Sequence, residues 1–470
     1  MKYKIYILFF LIHFASFAQE ENRSARSLEE CIALALENNL DLRQSFLAEK
    51  TSSINFKQNK NALLPNINGS YNLGIVKGRS IDPFSNNFVD EQLTFSNAGL
   101  GLDATIFNGF RLINSWKQAK LNLKAAEMET ETARQSLILN VTLTYLQVLN
   151  SKDLVKLAES RINTTNEQLE RLKVLYEEET GNPAEFRDLQ GQLASDKANL
   201  AQTKNTLENE IINLNTLVNS EETITAASLD QNLNIEDYAY TATEIYQEAL
   251  DVFPSVKAGD YNLAAANKGV AVARSLYAPE FSLFANLNTN YSSAARLFNE
   301  TGSNLVETGD FVTINNENIL VFTERPSFTE ADISYRNQFE NNLNSSVGVA
   351  VTLPIFNGFR AKNNIALEKI KKEEAEASLE KTKLDLRQSV KQSYNAMRIA
   401  YQRYQLLQQQ IDAYDESFRI NEIRFNNGIS NSTEYIISKN NLENAKINLA
   451  NVGYEYLLRI KVLEYYRGNI

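Results

Sequence analysis

The side chains available for chemistry in this chain are carboxylates, tyrosines, serines and lysines. Glu185 follows Asn182 by three residues, Glu434 follows Asn431 by three, and Asp188 lies one turn after Glu185. Two facing carboxylates can hydrolyse a glycoside as acid and base. Here the acidic residues spread along helix faces at solvent-like spacing, so no convergent pair is expected. A glutamate three residues after an asparagine suits the first turn of a helix, where its charge meets the positive end of the helix dipole. His13 is the only histidine and Cys31 the only cysteine. His13 falls in a leader made of Lys2 and Lys4, an apolar run from Ile5 to Phe14, and Ser16-Phe17-Ala18 as cleavage site. A mature chain starting at Gln19 holds no imidazole, which excludes Ser-His-Asp triads and Cys/His zinc sites, and offers no thiol there for lipid. Cys31, within Leu28-Glu29-Glu30-Cys31-Ile32-Ala33-Leu34, reads as a buried inert thiol. A net charge of −11 argues against a nucleic-acid partner. No enzyme, cofactor, metal site or transmembrane helix is expected.

Those carboxylates sit inside a repeat. Ile106-Phe107-Asn108-Gly109-Phe110-Arg111 returns letter for letter as Ile355-Phe356-Asn357-Gly358-Phe359-Arg360, 249 positions later. The same offset carries Tyr145 onto Tyr394, Glu185 onto Glu434 and Leu193 onto Leu442. A register held that long marks two copies of one unit. Residues 1–18 read as the leader, 19–219 as the first copy, 220–240 as a polar linker outside the main body, and 241–470 as the second copy. Each copy is expected to hold two strands, a long helix and a shorter returning helix. These fall at about 65–78, 93–107, 111–177 and 183–218 in the first copy, and about 279–292, 341–356, 360–426 and 432–465 in the second. Ser27 to about Ala62 reads as a preceding helix opened by a capping box, Ser27 with Glu30. The second copy has 35 more residues between its strands, within 292–338, and these read as a long exposed loop.

Val148, Val155, Ile162, Leu169 and Tyr176 are spaced by seven, as are Met397, Tyr404, Ile411, Phe418 and Phe425. Such a seam packs helices nearly parallel, as in a coiled coil. At about 1.5 Å per residue, a helix of that reach is roughly 100 Å long. In the strands, Ile67, Tyr71, Leu73 and Ile75 alternate with Asn68, Ser70, Asn72 and Gly74, and Val347, Val349 and Val351 with Gly348, Ala350 and Thr352. Period two gives one apolar and one polar face. Each strand is long enough to cross a bilayer at a tilt. Four strands cannot close, and an open edge in lipid costs several kcal/mol per unsatisfied group, so chains must pool strands. Two chains give eight and three give twelve, enough for a watery lumen. Asn, Ser and Gly faces suit such an interior, and Val, Leu and Ile faces suit lipid. The plainer alternative is a soluble sheet packed on helix.

Leu353-Pro354-Ile355-Phe356-Asn357-Gly358-Phe359-Arg360, its partner Ile106 to Arg111, and Leu193 with Leu442 resemble the TolC-like outer-membrane efflux protein family, over nearly all of the mature chain. The resemblance implies a mainly α fold with β, in which the duplicated β-β-long helix-short helix repeat forms a homotrimer. Its twelve-stranded outer-membrane β-barrel continues into a twelve-helix periplasmic α-barrel. It further implies a passive exit duct in outer-membrane lipid, extending into the periplasm and served by a periplasmic adaptor and an inner-membrane transporter, with no chemistry of its own. Glu185, Asp188 and Glu434 then become candidates for acidic rings at the tunnel entrance. Tyr176, Gly181, Phe425, Gly428 and Ser430 become candidates for the gate and the adaptor-contacting tip. Gly109, Arg111, Gly358 and Arg360 mark the strand-to-helix turn. Where the family bonds its entrance shut with tyrosine and arginine, this chain has Phe425 and Ser430, so its gate is expected to be held differently. Tyr71 and Tyr291 suit a membrane interface. A periplasm-spanning trimeric coiled coil without an open lumen remains the alternative, and it requires the apolar strand faces to pack inward.

Overall fold

A computed structural model describes residues 24–81, 86, 88–90, 92–220, 222–227, 235–315 and 317–469. The leader, and positions 221 and 228–234 of the linker, lie outside these. The first copy holds β1 (Ser24–Arg26), α1 (Leu28–Asn38), α2 (Leu40–Asn61), β2 (Asn66–Val76), β3 (Arg79–Ile81), β4 (Phe88–Asp90), β5 (Leu93–Phe107), α3 (Arg111–Glu177) and α4 (Pro183–Val218). After β6 (Ile224–Ala226) come α5 (Ala242–Val252), α6 (Pro254–Arg274) and a short 3-10 turn. The rest is β7 (Glu280–Ser292), β8 (Arg296–Ile314), β9 (Glu317–Asp332), α7 (Tyr335–Asn341), β10 (Asn344–Thr352), α8 (Arg360–Asn426) and α9 (Ser432–Arg467). Two compact units divide the chain. One takes residues up to Ile54, Leu121–Ala264 and Glu373–Ile470, the other Asn55–Lys120 and Ala265–Lys372.

The second unit is built on a four-stranded antiparallel sheet of order β10-β7-β5-β2. Directly paired residues share a face, so the register converts single-strand alternation into rows. Asn68, Gly101, Asn286 and Ser346 form one row, and Ser70, Gly99, Asn288 and Asn344 another. The opposite face carries Ile67, Leu102, Ala285 and Val347 in one row. Val347 is 76 % exposed and Leu73 65 %. On the polar face Phe95 lies against Gly74 and Phe284 against Gly348, where an added Cβ would fall 2.7 and 2.6 Å from the ring. The sheet's outer edges, β2 and β10, have no strand partner among the described residues.

The segment read as a loop within 292–338 is instead a long hairpin, β8 paired antiparallel with β9. The offset between the copies marks it only as extra length, but Phe311 pairs with Leu320, Val312 with Ile319 and Ile314 with Glu317, with Asn315 at φ 52° in the turn. β-Branched and aromatic pairs of this kind stabilise a two-stranded ribbon. After the hairpin, α7 is held to the end of β7 by Gln338, which accepts from the Ser292 N–H at 2.9 Å and donates to its carbonyl at 3.0 Å.

In the first unit, the single helix expected from Ser27 breaks at Asn39. That residue leaves the helix (ψ 127°), and its side-chain oxygen accepts the N–H groups of Asp41 and Leu42 at 3.0 Å, capping α2. The Ser27–Glu30 capping box is present. The linker also departs from expectation: Ile224–Ala226 is buried and pairs in parallel with β1. Its apolar residues join a core of Cys31, Val141, Tyr145, Val148, Leu214 and Val218. Burial pushes the Cys31 thiol up to about 11. A second core gathers Ile245, Val256, Val390, Met397, Tyr456 and Leu463.

Candidate functional site

Each long helix ends in the same backbone device. At the end of α8, Ile429 N–H donates to the Arg424 carbonyl at 2.8 Å and Gly428 N–H to that of Phe425 at 3.1 Å, with Gly428 at φ +71°. At the end of α3, Thr180 N–H donates to Leu175 at 3.0 Å and Glu179 N–H to Tyr176 at 3.1 Å, with Glu179 at φ +57°. Both are Schellman caps, which need one left-handed residue. Glu179 fills that place without being glycine, at a cost of roughly 1 kcal/mol. At Gly181 an added Cβ would sit 3.0 Å from Leu175, so a larger residue crowds the turn.

The returning helices start on asparagine caps. Asn182 accepts the Ala184 N–H at 3.0 Å, and Asn431 accepts the Glu434 N–H at 2.9 Å. The candidate acids then differ. Glu434 is exposed and stands 3.7 Å from the Arg424 guanidinium. Glu185 is half-buried in the first turn of α4 and forms no ion pair among the described residues. Asp188 accepts a hydrogen bond from the Ser432 hydroxyl at 2.8 Å, tying α4 to the start of α9. Tyr176 stacks on Phe186 and Phe425 on Tyr435, each pair with centroids 4.9 Å apart. Phe425 is thus a core residue of the tip, packed with Leu169, Leu172, Leu189 and Leu193. The Ser430 and Tyr435 hydroxyls are buried with no hydrogen-bond partner among the described residues. Arg171 of α3 donates to the side chain and the backbone carbonyl of Asn426, the last residue of α8. A cation there meets the negative end of that helix.

The sequence reading missed a buried ionic knot nearby. Asp196 on α4 accepts from the Arg161 guanidinium of α3 at 2.7 Å and from the Lys439 ammonium of α9 at 3.0 Å. Both Asp196 and Lys439 are 1 % exposed. Thr165 and Gln192 also donate to Asp196, while Lys439 donates to Thr165 and to the Arg161 carbonyl at 3.1 Å. Burial works to raise the Asp196 pKa, but the Thr165 hydrogen bond and the Lys439 charge outweigh it and hold the carboxyl below its ordinary value. Burial pulls the Lys439 pKa below its ordinary value, and Asp196 offsets this only in part. A signal was present in the sequence. Asp196 continues the stripe Leu189, Leu193, Leu200, and Lys439 stands between Tyr435 and Leu442, so both charges occupy core-facing helical positions.

In the other unit the duplicated Phe-Asn-Gly-Phe-Arg element forms the strand-to-helix turn. Gly109 and Phe110 have φ of 65° and 62°, and Gly358 and Phe359 both have 61°. Arg111 N–H donates to the Asn108 carbonyl and Arg360 N–H to that of Asn357, each at 3.2 Å. Two consecutive positive φ values are the mark of a primed turn, which glycine enters freely and phenylalanine only under strain. Phe107 meets Phe110 edge-on at 5.3 Å, and Phe356 meets Phe359 at 5.6 Å. An added Cβ at Gly109 would fall 2.4 Å from that of Ala278, whereas at Gly358 the space is open. Arg111 pairs with Glu280 at 3.3 Å, and Arg360 has no ion pair among the described residues. Tyr71 and Tyr291 both meet Tyr335 of α7, the first through its hydroxyl at 3.3 Å and the second ring to ring at 4.8 Å. Among the described residues no cluster of His, Cys, Asp and Glu is placed to hold a metal, and no helix is long and apolar enough to cross a membrane.

Comparison with known proteins matches residues 31–220 and 245–465 to the family described as outer membrane efflux protein. The toluene efflux pump outer membrane protein TtgF of Pseudomonas putida is 26% identical over 287 residues, 59% of this chain and 57% of TtgF. The chain therefore spans little more than half the length of that curated relative. Outer membrane protein TolC of Escherichia coli is 22% identical over 459 residues, 95% of this chain and 82% of TolC. Among solved structures, the Campylobacter jejuni CmeC outer membrane channel aligns with a TM-score of 0.75 at 20% identity, covering 97% of this chain and 90% of that one. At that identity the likeness shows the fold.

Proposed function

As this chain belongs to the outer membrane efflux protein family, we propose that it forms, as a homotrimer, the exit duct of a multipartite efflux or secretion system. The observation that carries this reading is the four-stranded sheet with two open edges, one amide face and one apolar face. In hydrocarbon every open edge costs several kcal/mol per unpaired group. Pairing β2 of one chain with β10 of the next removes both edges, and three chains close a twelve-stranded barrel with its amide face inward. The exposed Val347, Val349 and Val351 then meet lipid, which speaks against a lumenless coiled coil with those faces packed inside. The helical unit extends into the periplasm. Its tip, with Glu185, Asp188 and Glu434, forms the cation-favouring entrance and the docking end for a periplasmic adaptor, which joins it to an inner-membrane transporter.

Native mass measurement and planar-bilayer recording of detergent-purified protein test the reading together. A trimer with ohmic conductance is expected. A stable monomer that never conducts would overturn the proposal. In the conducting trimer, Glu185→Gln with Glu434→Gln should lower cation preference, and an unchanged reversal potential would remove these acids from the entrance.

A further inference from the structure

The four strands of the sheet carry almost no charge. Their only charged residues are Asp103 on β5 and Glu280 at the start of β7. Glu280 lies opposite Thr352, at the strand end next to the helical turn, and is answered by Arg111 at 3.3 Å. Asp103 has no such answer among the described residues. It stands on the amide face in the cross-strand row Asn66, Asp103, Phe284, Gly348. It is exposed, and none of its neighbours in that row is a cation. Phe284 bends over Gly348, and the adjacent row offers Asn68, Gly101, Asn286 and Ser346, which are all neutral.

We propose that Asp103 is the specificity-determining residue of the strand section. In the assembled channel it forms a single ring of unpaired carboxylates that selects cations, in a wall otherwise lined by neutral amides, hydroxyls, glycine and the Phe95 and Phe284 rings, with Glu280 on the same face neutralised by Arg111. This rests on the trimeric reading above, with the amide face turned to the lumen. A neutral amide wall discriminates little by charge, so one ring dominates the local potential. Three carboxylates about 10 Å from the axis, at 0.1 M salt where the Debye length is also about 10 Å, enrich cations and deplete anions about twofold each. The ring is distinct from the tip acids, which belong to the helical unit.

The test is the reversal potential of purified trimers in planar bilayers across a KCl gradient, for wild type, Asp103→Asn and Asp103→Lys. Asp103→Asn should reduce the cation-to-anion permeability ratio about fourfold at 0.1 M salt, and the effect should shrink at 1 M as screening tightens. Asp103→Lys should turn the strand section towards anions. Conducting variants with the wild-type ratio overturn the assignment while leaving the channel standing. A wild type that never conducts overturns the channel itself, and the assignment with it. To separate charge from folding, Asp103→Cys is assembled first and then treated with thiol reagents carrying a sulfonate or an ammonium group. The sulfonate should restore cation preference and the ammonium should reverse it, whereas identical ratios with both reagents refute the proposal.

Discussion

The ionic knot between α3, α4 and α9 permits a prediction in which two substitutions at one contact have unequal costs. Asp196 faces two cations, Arg161 at 2.7 Å and Lys439 at 3.0 Å, whereas Lys439 faces one carboxylate. Asp196→Asn therefore leaves a 1 % exposed ammonium without its counter-charge, and removing one partner of a buried pair costs about 3–5 kcal/mol. Lys439→Met leaves Asp196 bonded to Arg161, Thr165 and Gln192. A lysine whose pKa is lower folded than unfolded gives up protons on folding, so at neutral pH its charge works against the fold. Lys439 is such a group, and Lys439→Met should change stability by no more than about 1 kcal/mol, in either direction. Asp196 has the opposite sense at neutral pH. Its depressed carboxyl pKa contributes stability above the unfolded carboxylate value, and that stability is lost as pH falls through the folded value. With about 2.1 cal/mol/K of unfolding entropy per residue, 4 kcal/mol in a chain of this length shifts Tm by roughly 4 °C. Circular-dichroism melts at matched protein concentration in one detergent read this directly. Asp196→Asn should melt about 4 °C lower, Lys439→Met within about 1 °C of wild type, and the double variant above Asp196→Asn alone. If Lys439→Met falls as far as Asp196→Asn, the knot is not organised around an over-supplied carboxylate.

The paired Schellman caps predict opposite effects at equivalent positions: Gly428→Ala should lose about 1 kcal/mol, and Glu179→Gly should gain up to about 1 kcal/mol, both read by thermal melts. At the strand-to-helix turns, Gly109→Ala drives a methyl to 2.4 Å from Ala278 and should abolish recovery of folded protein. Gly358→Ala meets open space and should lose only the roughly 1 kcal/mol of a left-handed alanine, with folded protein still recovered.

What the sequence disclosed divides by the range of the force involved. The faces of β2, β5, β7 and β10 were visible because alternation is a property of one strand, and only their rows needed the register. The Phe-Asn-Gly-Phe-Arg turn was visible because a positive φ leaves few residue choices, though the left-handed state of Phe110 and Phe359 was not. The break at Asn39 escaped because a helical pattern continues on both sides of one residue whose side chain caps the second helix. The β8–β9 hairpin escaped because its partners are given by a turn at Asn315 and not by a clean alternation. Arg171 on Asn426, Ser432 on Asp188 and the knot at Asp196 join residues far apart in sequence; a local pattern marks Asp196 and Lys439 as core-facing but does not pair them.

The duplication shows the same division inside one molecule. The offset of 249 carries Gly109 to Gly358, Glu179 to Gly428 and Asn182 to Asn431, positions set by backbone geometry that both copies need. It carries Arg161 to Gln410, Asp196 to Ala445, and Lys439 back to Gln190, so the ionic knot exists once per chain. A cap depends on one residue and its own backbone, and either copy keeps it independently. A knot depends on three residues at once and is meaningless when one is lost. The ion pairs that link α8 to other helices among the described residues, Arg403 with Glu455, Arg424 with Glu434 and Lys383 with Asp260, all reach solvent. Such pairs are worth about 0–1 kcal/mol each. The returning helix of the second copy is therefore locked into the first copy by buried charge, while the long helix beside it is held by apolar packing, through Val390, Met397 and Ala400 and the stacking of Phe425 on Tyr435, and by Arg171 at its last carbonyl.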